Sequence, residues 1–447
     1  MRTRSERFPN VRAAALAYRF RESLFALPVL IVFGGMALAV IARAADKRLG
    51  PSPRFLLKMD SSVATTLLST IAGATITTAG VIFSLTIVSL QLASSQLSPR
   101  VMRWFIRDRL SQVVIGLLVA TFVYCVLSLP DLNGSSAEPA PPLSVTIAVV
   151  LTIGTVITII AHVDHLAHRL EVGQVVREIA AEGSQVIDAV AAAAADEQPA
   201  SDADMDAPPD VLRLNSPGNG WVSQVVTDRL LAAIPANTTI RLDTRVGAYI
   251  HLGQPLVTIW PVPDRPNRLQ HKLSRAIVVS GSRTMQEDVD FAFRQLVDIG
   301  LRALSSAIND PTTAVEATLR VGSLLRRQLV VPPRLRAVAG PDGRVLLRPW
   351  DLDDTEYIAH GFDQLRQVAP AQPLVAAAIL RVVRMLIVHV ERMGRPEHIP
   401  ALQEQADLLL DSLAEAANLH PRDLARLRAI AANTTDPADH SQRRMAP

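Results

Sequence analysis

Four long apolar runs in the first third of the chain, none of which contains Asp, Glu, Lys or Arg, limit what the chain can fold into. They occupy about residues 23–42, 62–93, 111–129 and 143–162. Each reaches the roughly 20 residues that an α-helix needs to cross about 30 Å of hydrocarbon. Four such runs in succession are not expected in the core of a water-soluble protein. The sequence therefore predicts four transmembrane helices within residues 1–163.

The first run also has features of a secretory signal peptide, because several arginines precede it and Ala-Arg-Ala follows it. Its apolar part is longer than the usual h-region of about 7–15 residues. More than twenty N-terminal residues also stand before it. We therefore interpret this run as an uncleaved membrane anchor.

The second run has one helical side made of small or hydroxyl-bearing residues, namely Thr66, Thr70, Gly73, Thr77, Gly80 and Ser84. These residues recur at alternating steps of four and three, the spacing of one helix face. One interpretation is a packing seam, within the chain or between subunits. The other is a face that lines a water-filled path in a homo-oligomer, where hydroxyl groups replace part of an ion's hydration. The run has no ionisable residue, which argues against a proton-coupled pump.

Basic residues near the apolar runs predict the orientation of the chain in a bacterial cytoplasmic (inner) membrane, because cytoplasmic loops are enriched in Lys and Arg. The loop at 130–142 has neither residue, so it should face outside. The N-terminus and everything after residue 163 should then be cytoplasmic. The first loop does not fit this scheme, since it carries Lys47, Arg48, Arg54 and Lys58. A hairpin in which the second run does not fully cross would also explain that loop; we favour four crossings.

An aromatic and basic segment follows the second run and contains Arg100, Arg103, Trp104, Arg107 and Arg109. It suits headgroup depth, either as a topological anchor or as a contact for anionic lipid of the inner leaflet. The fourth run ends in His162, His165 and His168, whose spacing allows a metal or pH-sensing cluster. Histidine is common at the wet end of a membrane helix, and the i, i+4 pair of metalloproteases is absent. We therefore predict no metal site and no cofactor.

The remainder of the chain reads as a cytoplasmic α+β domain, mostly helical with a small β module. Residues 164–209 predict a connecting helix and an acidic flexible linker, residues 210–265 the β-rich module, and residues 266–447 a helical domain. The pattern V-G-x₅-G-Q-P-L from Val246 to Leu256 resembles the strand–turn–strand of a barrel-sandwich hybrid, without the lysine of a carrier protein. Further strands are predicted near 328–331 and 344–347. The apolar run at 374–390 is predicted to be a core helix, since two arginines interrupt it.

A set of charged and polar residues in the helical domain is the remaining candidate site: Arg283, Asp288, Arg294, Asp298, Arg302, Asn309 and Asp310. The first five alternate in sign, so they suit either a buried ionic network or a small polar ligand. Asp310 precedes Pro311 and is also suited to cap the helix that follows.

Two strings in this chain resemble an uncharacterised bacterial family of predicted membrane proteins, the domain of unknown function family 2254. The first is Ser-Ser-Gln-x-Ser-Pro-Arg at 94–100; the second runs from Asp-Ile-x-x-Arg-Ala-Leu-Ser at 298–305 to Ile-Asn-Asp-Pro-x-Thr-Ala at 308–314. Family members usually have Ser-Pro-Gly where this chain has Ser-Ser-Ala at 305–307. The resemblance implies a multi-pass membrane protein and supplies no activity.

These observations lead to two functional hypotheses. The first is an oligomeric channel or permeation pathway lined by the second helix. The alternative is a membrane-anchored sensor or scaffold whose cytoplasmic domain binds a ligand or a protein. We do not expect an enzyme, because phosphate-binding Gly loops, G-x-S-x-G, H-E-x-x-H and dinucleotide motifs are absent. A net charge of +3 gives no basic field for nucleic acid, and the single cysteine, Cys125, excludes an intramolecular disulfide.

Overall fold

The computed structural model describes residues 25–48, 56–96, 108–132, 139–169, 172–200, 205–264, 269, 272–273, 276–416 and 419–432. It divides into two compact units, Met1–Glu171 and Val172–Pro447. We describe each unit by itself.

Within its described residues, the first unit contains four long helices in an antiparallel arrangement: α1 Ala26–Asp46, α2 Ser61–Gln96, α3 Arg109–Ser128 and α4 Pro142–Arg169. At one end, the Asp46 carboxylate accepts hydrogen bonds from the backbone N–H groups of Leu143 and Ser144, at 3.0 and 2.9 Å. At the other end, Asp108 caps α3 and lies 3.3 Å from His165 near the end of α4. The chain therefore runs up and down through the unit four times.

Small residues allow the helices of this unit to approach closely. A Cβ on Gly35 would lie 2.9 Å from the Ala120 side chain, and one on Gly116 would lie equally close to Ile31. The Thr121 and Thr155 hydroxyls meet at 3.1 Å between α3 and α4. Such close contacts and hydroxyl pairs hold helices together in lipid, where the hydrophobic effect between helices is absent.

Large apolar side chains also cover the outside of the first unit. Phe33 and Ile157 are each 62 % exposed, and Ile160 is 66 % exposed. Within the part of the chain that the structure describes, five helices are long and apolar enough to cross a membrane: α1, α2, α3 extended to Leu132, α4, and the helix Pro373–Arg392. The four predicted runs all form helices, and the fifth candidate belongs to the second unit.

The second unit begins with α5 Val172–Ala194 and a mixed β region. Its strands are β1 Gln198–Pro199, β2 Leu212–Asn215, β3 Gly220–Val225, β4 Thr239–Leu242, β5 Tyr249–Ile250, β6 Pro255–Trp260 and β7 Ile277–Ser280, with α6 Thr227–Ala233 between β3 and β4. The predicted strand–turn–strand near residue 250 is present as β5 and β6. These two strands belong to different sheets.

Helices make up most of the remainder: α7 Val289–Ala303, α8 Pro311–Gln328, α9 Asp354–Val368, α10 Pro373–Arg392, α11 Ile399–Glu415 and α12 Pro421–Ala432. Between α8 and α9 lie the strands β8 Ala337–Ala339 and β9 Val345–Leu347. The larger sheet has the order β1-β8-β9-β4-β6-β2, and the smaller has the order β5-β3-β7. All pairings are antiparallel except β4 with β9.

Two local predictions for this unit were wrong. The stretch 328–331 is not a strand; it is the end of α8 and the following turn, because Leu325 and Leu329 continue the buried face of that helix. Part of the acidic stretch predicted as a flexible linker forms β1, which pairs with β8. The reason is electrostatic: Glu197 next to β1 receives two hydrogen bonds from the buried Arg348, at 3.0 and 2.6 Å.

Candidate functional site

The small-residue face of α2 points away from the helices that α2 packs against. The packed side consists of Ala64, Leu68, Ile71, Ala72, Thr75, Ala79 and Ile82. The six stripe residues, Thr66, Thr70, Gly73, Thr77, Gly80 and Ser84, are all exposed. At about 100° per residue, the stripe covers an arc of about 80° on the side opposite the packed residues. The described chain therefore contains no partner for this face.

The three threonine hydroxyl groups of the α2 stripe donate their protons to carbonyls within the helix. Thr70 Oγ1 donates to the Thr66 carbonyl at 2.7 Å, and Thr77 Oγ1 donates to the Gly73 carbonyl at 2.8 Å. The stripe thus presents oxygen lone pairs and methyl groups outward. A Cβ added to Gly73 or Gly80 would have nothing within 4 Å. Because the stripe is exposed in the single chain, it is not a packing seam within the chain. The arrangement is compatible with a contact between copies of the chain and with a face that lines a path.

Only some of the residues predicted to contact lipid headgroups belong to the described part of the chain. Arg109 is the first residue of α3, whereas Arg100, Arg103, Trp104 and Arg107 lie outside the described residues. His162 is fully buried, and neither ring nitrogen has a hydrogen-bond partner. The side chain of His168 is outside the described part. Among the described residues, no group of three or more His, Cys, Asp or Glu side chains is placed to hold a metal ion.

An ionic network forms around Arg283 in the second unit. Its Nε and Nη2 atoms bind the two oxygens of Asp288 at 2.6 and 3.0 Å, and Nη2 also binds Asp290 Oδ2 at 2.7 Å. The guanidinium carbon lies 5.5 Å from the Trp221 ring centre and 5.2 Å from that of Phe291. Bidentate pairing and stacking on rings are both typical of a structural arginine. Burial would lower the pKa of Arg283, but its carboxylate partners raise it.

The two carboxylates of this network respond differently to their surroundings. Burial would raise the pKa of Asp290, but hydrogen bonds from His360, at 2.6 Å, and from Arg283 hold it below its usual value. Burial raises the pKa of Asp288 and outweighs its bond to Arg283. Arg294 adds a longer contact to Asp290 at 3.7 Å. The members of the network bind one another, which favours the ionic interpretation of the cluster.

The structure brings together only part of the predicted polar cluster. Arg283, Asp288 and Arg294 meet in the network, while Asp298 and Arg302 lie farther along α7. Asp310 caps α8 through the backbone N–H groups of Thr312 and Thr313, each at 3.1 Å, and Asn309 Oδ1 accepts from Gln372 at 3.1 Å. Sequence patterns alone did not identify Asp290 and His360 as members of this network. The i, i+4 spacing of Asp290 and Arg294 was a usable signal, but nothing local marks His360.

A cavity of about 390 Å³ opens beside the network within the second unit. Carboxylates line much of it: Glu287, Asp288, Asp290, Asp351, Asp353, Asp354 and Glu397. Its basic residues are fewer: Arg245, Arg334, Arg336, Arg395 and His398. An apolar wall comes from α5, through Ile187, Val190 and Ala191. The sequence did not reveal this site, because its residues come from distant segments.

The chain resembles other proteins over nearly its whole length. A family model described as predicted membrane protein (DUF2254) matches residues 21–385. An uncharacterized protein of Mycobacterium bovis is 28 % identical over 443 residues, which cover 96 % of this chain and 82 % of the relative. An uncharacterized protein of Mycobacterium tuberculosis is 28 % identical over 442 residues, with the same two shares. No solved structure matches the chain.

Proposed function

The chain belongs to the predicted membrane protein family DUF2254, and on that premise we propose that it forms a homo-oligomeric permeation pathway in the cytoplasmic membrane, lined by α2. The observation that carries the proposal is the direction of the α2 stripe. The small and hydroxyl-bearing residues of the stripe are exposed, whereas the opposite side of α2 is packed against the other helices of the first unit. Copies that surround an axis with this face would place lone pairs along it, which suits partly dehydrated ions or small polar solutes.

The proposal uses four crossings, by α1 to α4, and treats α10 as a core helix of the second unit. In support, 56 % of the apolar window of α10 is buried within the chain, against 22–44 % for the other four candidates. Arg381 and Arg384 also interrupt it. The arginine-rich stretch before α3 supports an orientation with the N-terminus and the second unit in the cytoplasm.

The test is conductance of the purified full-length protein in planar lipid bilayers. We expect currents, and we expect Thr77→Glu to shift the reversal potential towards cation selectivity, because each subunit adds a carboxylate to the path. Thr158→Glu in α4 is a matched control, since its hydroxyl also donates to the carbonyl of a glycine four residues earlier. No conductance at any voltage, tension or ion gradient would contradict the proposal, as would equal shifts from both variants.

A second candidate function is a membrane-anchored sensor or scaffold whose cytoplasmic unit binds a ligand. The observation that favours it is the charged cavity of the second unit, which a purely structural domain does not need. In this case α1 to α4 serve as anchor and subunit contact. Wild-type protein that self-associates through α2 but never conducts would favour this alternative. We propose no catalytic activity for either function.

A further inference from the structure

The charged cavity differs from the neighbouring Arg283 network in how well its polar atoms are paired. Three atoms on its wall are buried and lack any hydrogen bond: Arg334 Nε, Asp351 Oδ2 and His398 Nε2. The His398 side chain is only 9 % exposed. Buried polar groups without partners are costly, so several around one cavity indicate that something else completes them.

The ion pairs around the three unpartnered atoms are long, although Arg395 also binds the exposed Glu397 at 2.6 Å. Arg334 Nη1 lies 3.4 Å from Asp351 Oδ2, and His398 Nε2 lies 3.4 Å from Asp354 Oδ2. Arg395 approaches the same Asp354 oxygen only to 4.0 Å. The pairs of Arg283, by contrast, close to 2.6–3.0 Å. Arg334 and Asp351, and likewise His398 and Asp354, thus attract each other without a hydrogen bond between them, which leaves space for an inserted group.

The unpartnered atoms define the chemistry of an occupant. Arg334 Nε can only donate, so it requires an acceptor such as a carboxylate. Asp351 Oδ2, and Asp354 Oδ2 across the gap from His398, accept hydrogen bonds, so they suit an ammonium group. We propose that this cavity binds a small zwitterion, a free α-amino acid, whose carboxylate pairs with Arg334 and whose ammonium group pairs with Asp351 and Asp354.

Charge balance and size agree with this ligand. Carboxylates outnumber basic groups on the wall, and burial raises the pKa of Glu287 and of Asp354 against the opposing effect of the nearby basic groups. A volume of about 390 Å³ falls at the small end of ligand pockets. The apolar wall from α5 would receive the amino-acid side chain. The site is independent of the proposed permeation path, and it gives the alternative sensor function a ligand class.

The experiment is calorimetric titration of the full-length protein in detergent with each standard amino acid. Leucine is compared with isoamylamine, which lacks the carboxylate, and with isocaproate, which lacks the ammonium group. We expect saturable binding of at least one amino acid. Asp351→Asn and Arg334→Gln should each weaken it about tenfold or more, because each removes a charged partner. Arg327→Gln, at an exposed pair with Asp188 on the surface, should change it less than about twofold.

Several outcomes would overturn the proposal. No heat and no rise in melting temperature with any amino acid would mean that the cavity holds water only. Isoamylamine or isocaproate binding as tightly as leucine, with no amino acid binding more tightly, would make the site a simple cation or anion site. Unchanged affinity in Asp351→Asn and in Arg334→Gln would place the binding elsewhere. Melting curves of each variant without ligand separate a folding defect from a binding defect, and His398→Gln provides a further variant if either substitution unfolds the protein.

Discussion

Enlarging the two glycines of the α2 stripe should disrupt assembly without disturbing the folded subunit. In the single chain, a Cβ at Gly73 or Gly80 meets nothing within 4 Å. Replacing a mid-helix glycine by leucine improves helix propensity by roughly 0.5–1 kcal/mol. The double variant Gly73→Leu/Gly80→Leu should therefore fold at least as well as the wild type.

The same double substitution should destabilise only the contact between subunits, where the α2 stripes of two copies meet. Extra side-chain volume in a close contact costs about 1–3 kcal/mol per site. Two sites per subunit then weaken association by roughly 2–6 kcal/mol per subunit, and since about 1.4 kcal/mol is tenfold, by about 30-fold or more. If the stripe lines a path instead of a contact, the leucines narrow the path and conductance falls.

The assay combines analytical ultracentrifugation in detergent with bilayer conductance. Gly154→Leu is the matched control, because a Cβ at Gly154 in α4 also meets nothing within 4 Å. We expect the double variant to lose association, conductance or both, while Gly154→Leu retains them. The reasoning is refuted if the double variant matches the wild type in both measurements, or if Gly154→Leu is equally impaired.

Three further predictions concern the second unit, each measured as the free energy of unfolding or the melting temperature of the full-length protein in detergent. Arg283→Met should cost about 3–5 kcal/mol, because the buried Asp288 loses the arginine that pairs with it and Asp290 keeps only His360 and the more distant Arg294; the exposed Arg327→Met should cost less than about 1 kcal/mol, and equal effects would contradict the network. Asp310→Ala should cost about 0.5–2 kcal/mol through loss of the α8 cap, and a neutral effect would count against that role. Because the pKa of Asp290 is lowered in the folded protein, its contribution to the free energy of unfolding is complete above the ordinary Asp pKa of about 3.9 and is lost as the pH falls through the folded pKa. The protein should therefore lose stability below about pH 4. A loss of the same size in Asp290→Asn would contradict this assignment.

The long apolar helices could be predicted from the sequence, because an uncharged apolar run is a local feature of the chain. The predicted run 62–93 became Ser61–Gln96, and 111–129 became Arg109–Ser128. Absence of charge over about 20 residues decides such a helix without reference to its neighbours. Periodicity also identified the stripe on α2. It did not determine the direction of that stripe, which depends on which side the other helices cover.

The charged sites of the second unit depend on contacts between distant parts of the chain. Asp290 and His360 are 70 residues apart, and their bond follows from the packing of α7 against α9. The orphaned atoms of the cavity come from Arg334, Asp351 and His398, which share no sequence motif. The error at 328–331 has a similar origin, since an apolar run of four residues suits a strand or a helix end equally well.

The most direct test of the account is the accessibility of single cysteines along α2. The chain has one cysteine, the buried Cys125, so a Cys125→Ala background leaves only the introduced thiol. A charged, membrane-impermeant thiol reagent should modify Thr70→Cys and Thr77→Cys and reduce conductance. Leu85→Cys, which is exposed and lies about 100° from the centre of the stripe, should stay unmodified. Stripe cysteines that are as unreactive as Leu85→Cys would contradict the claim that this face meets a water-filled path.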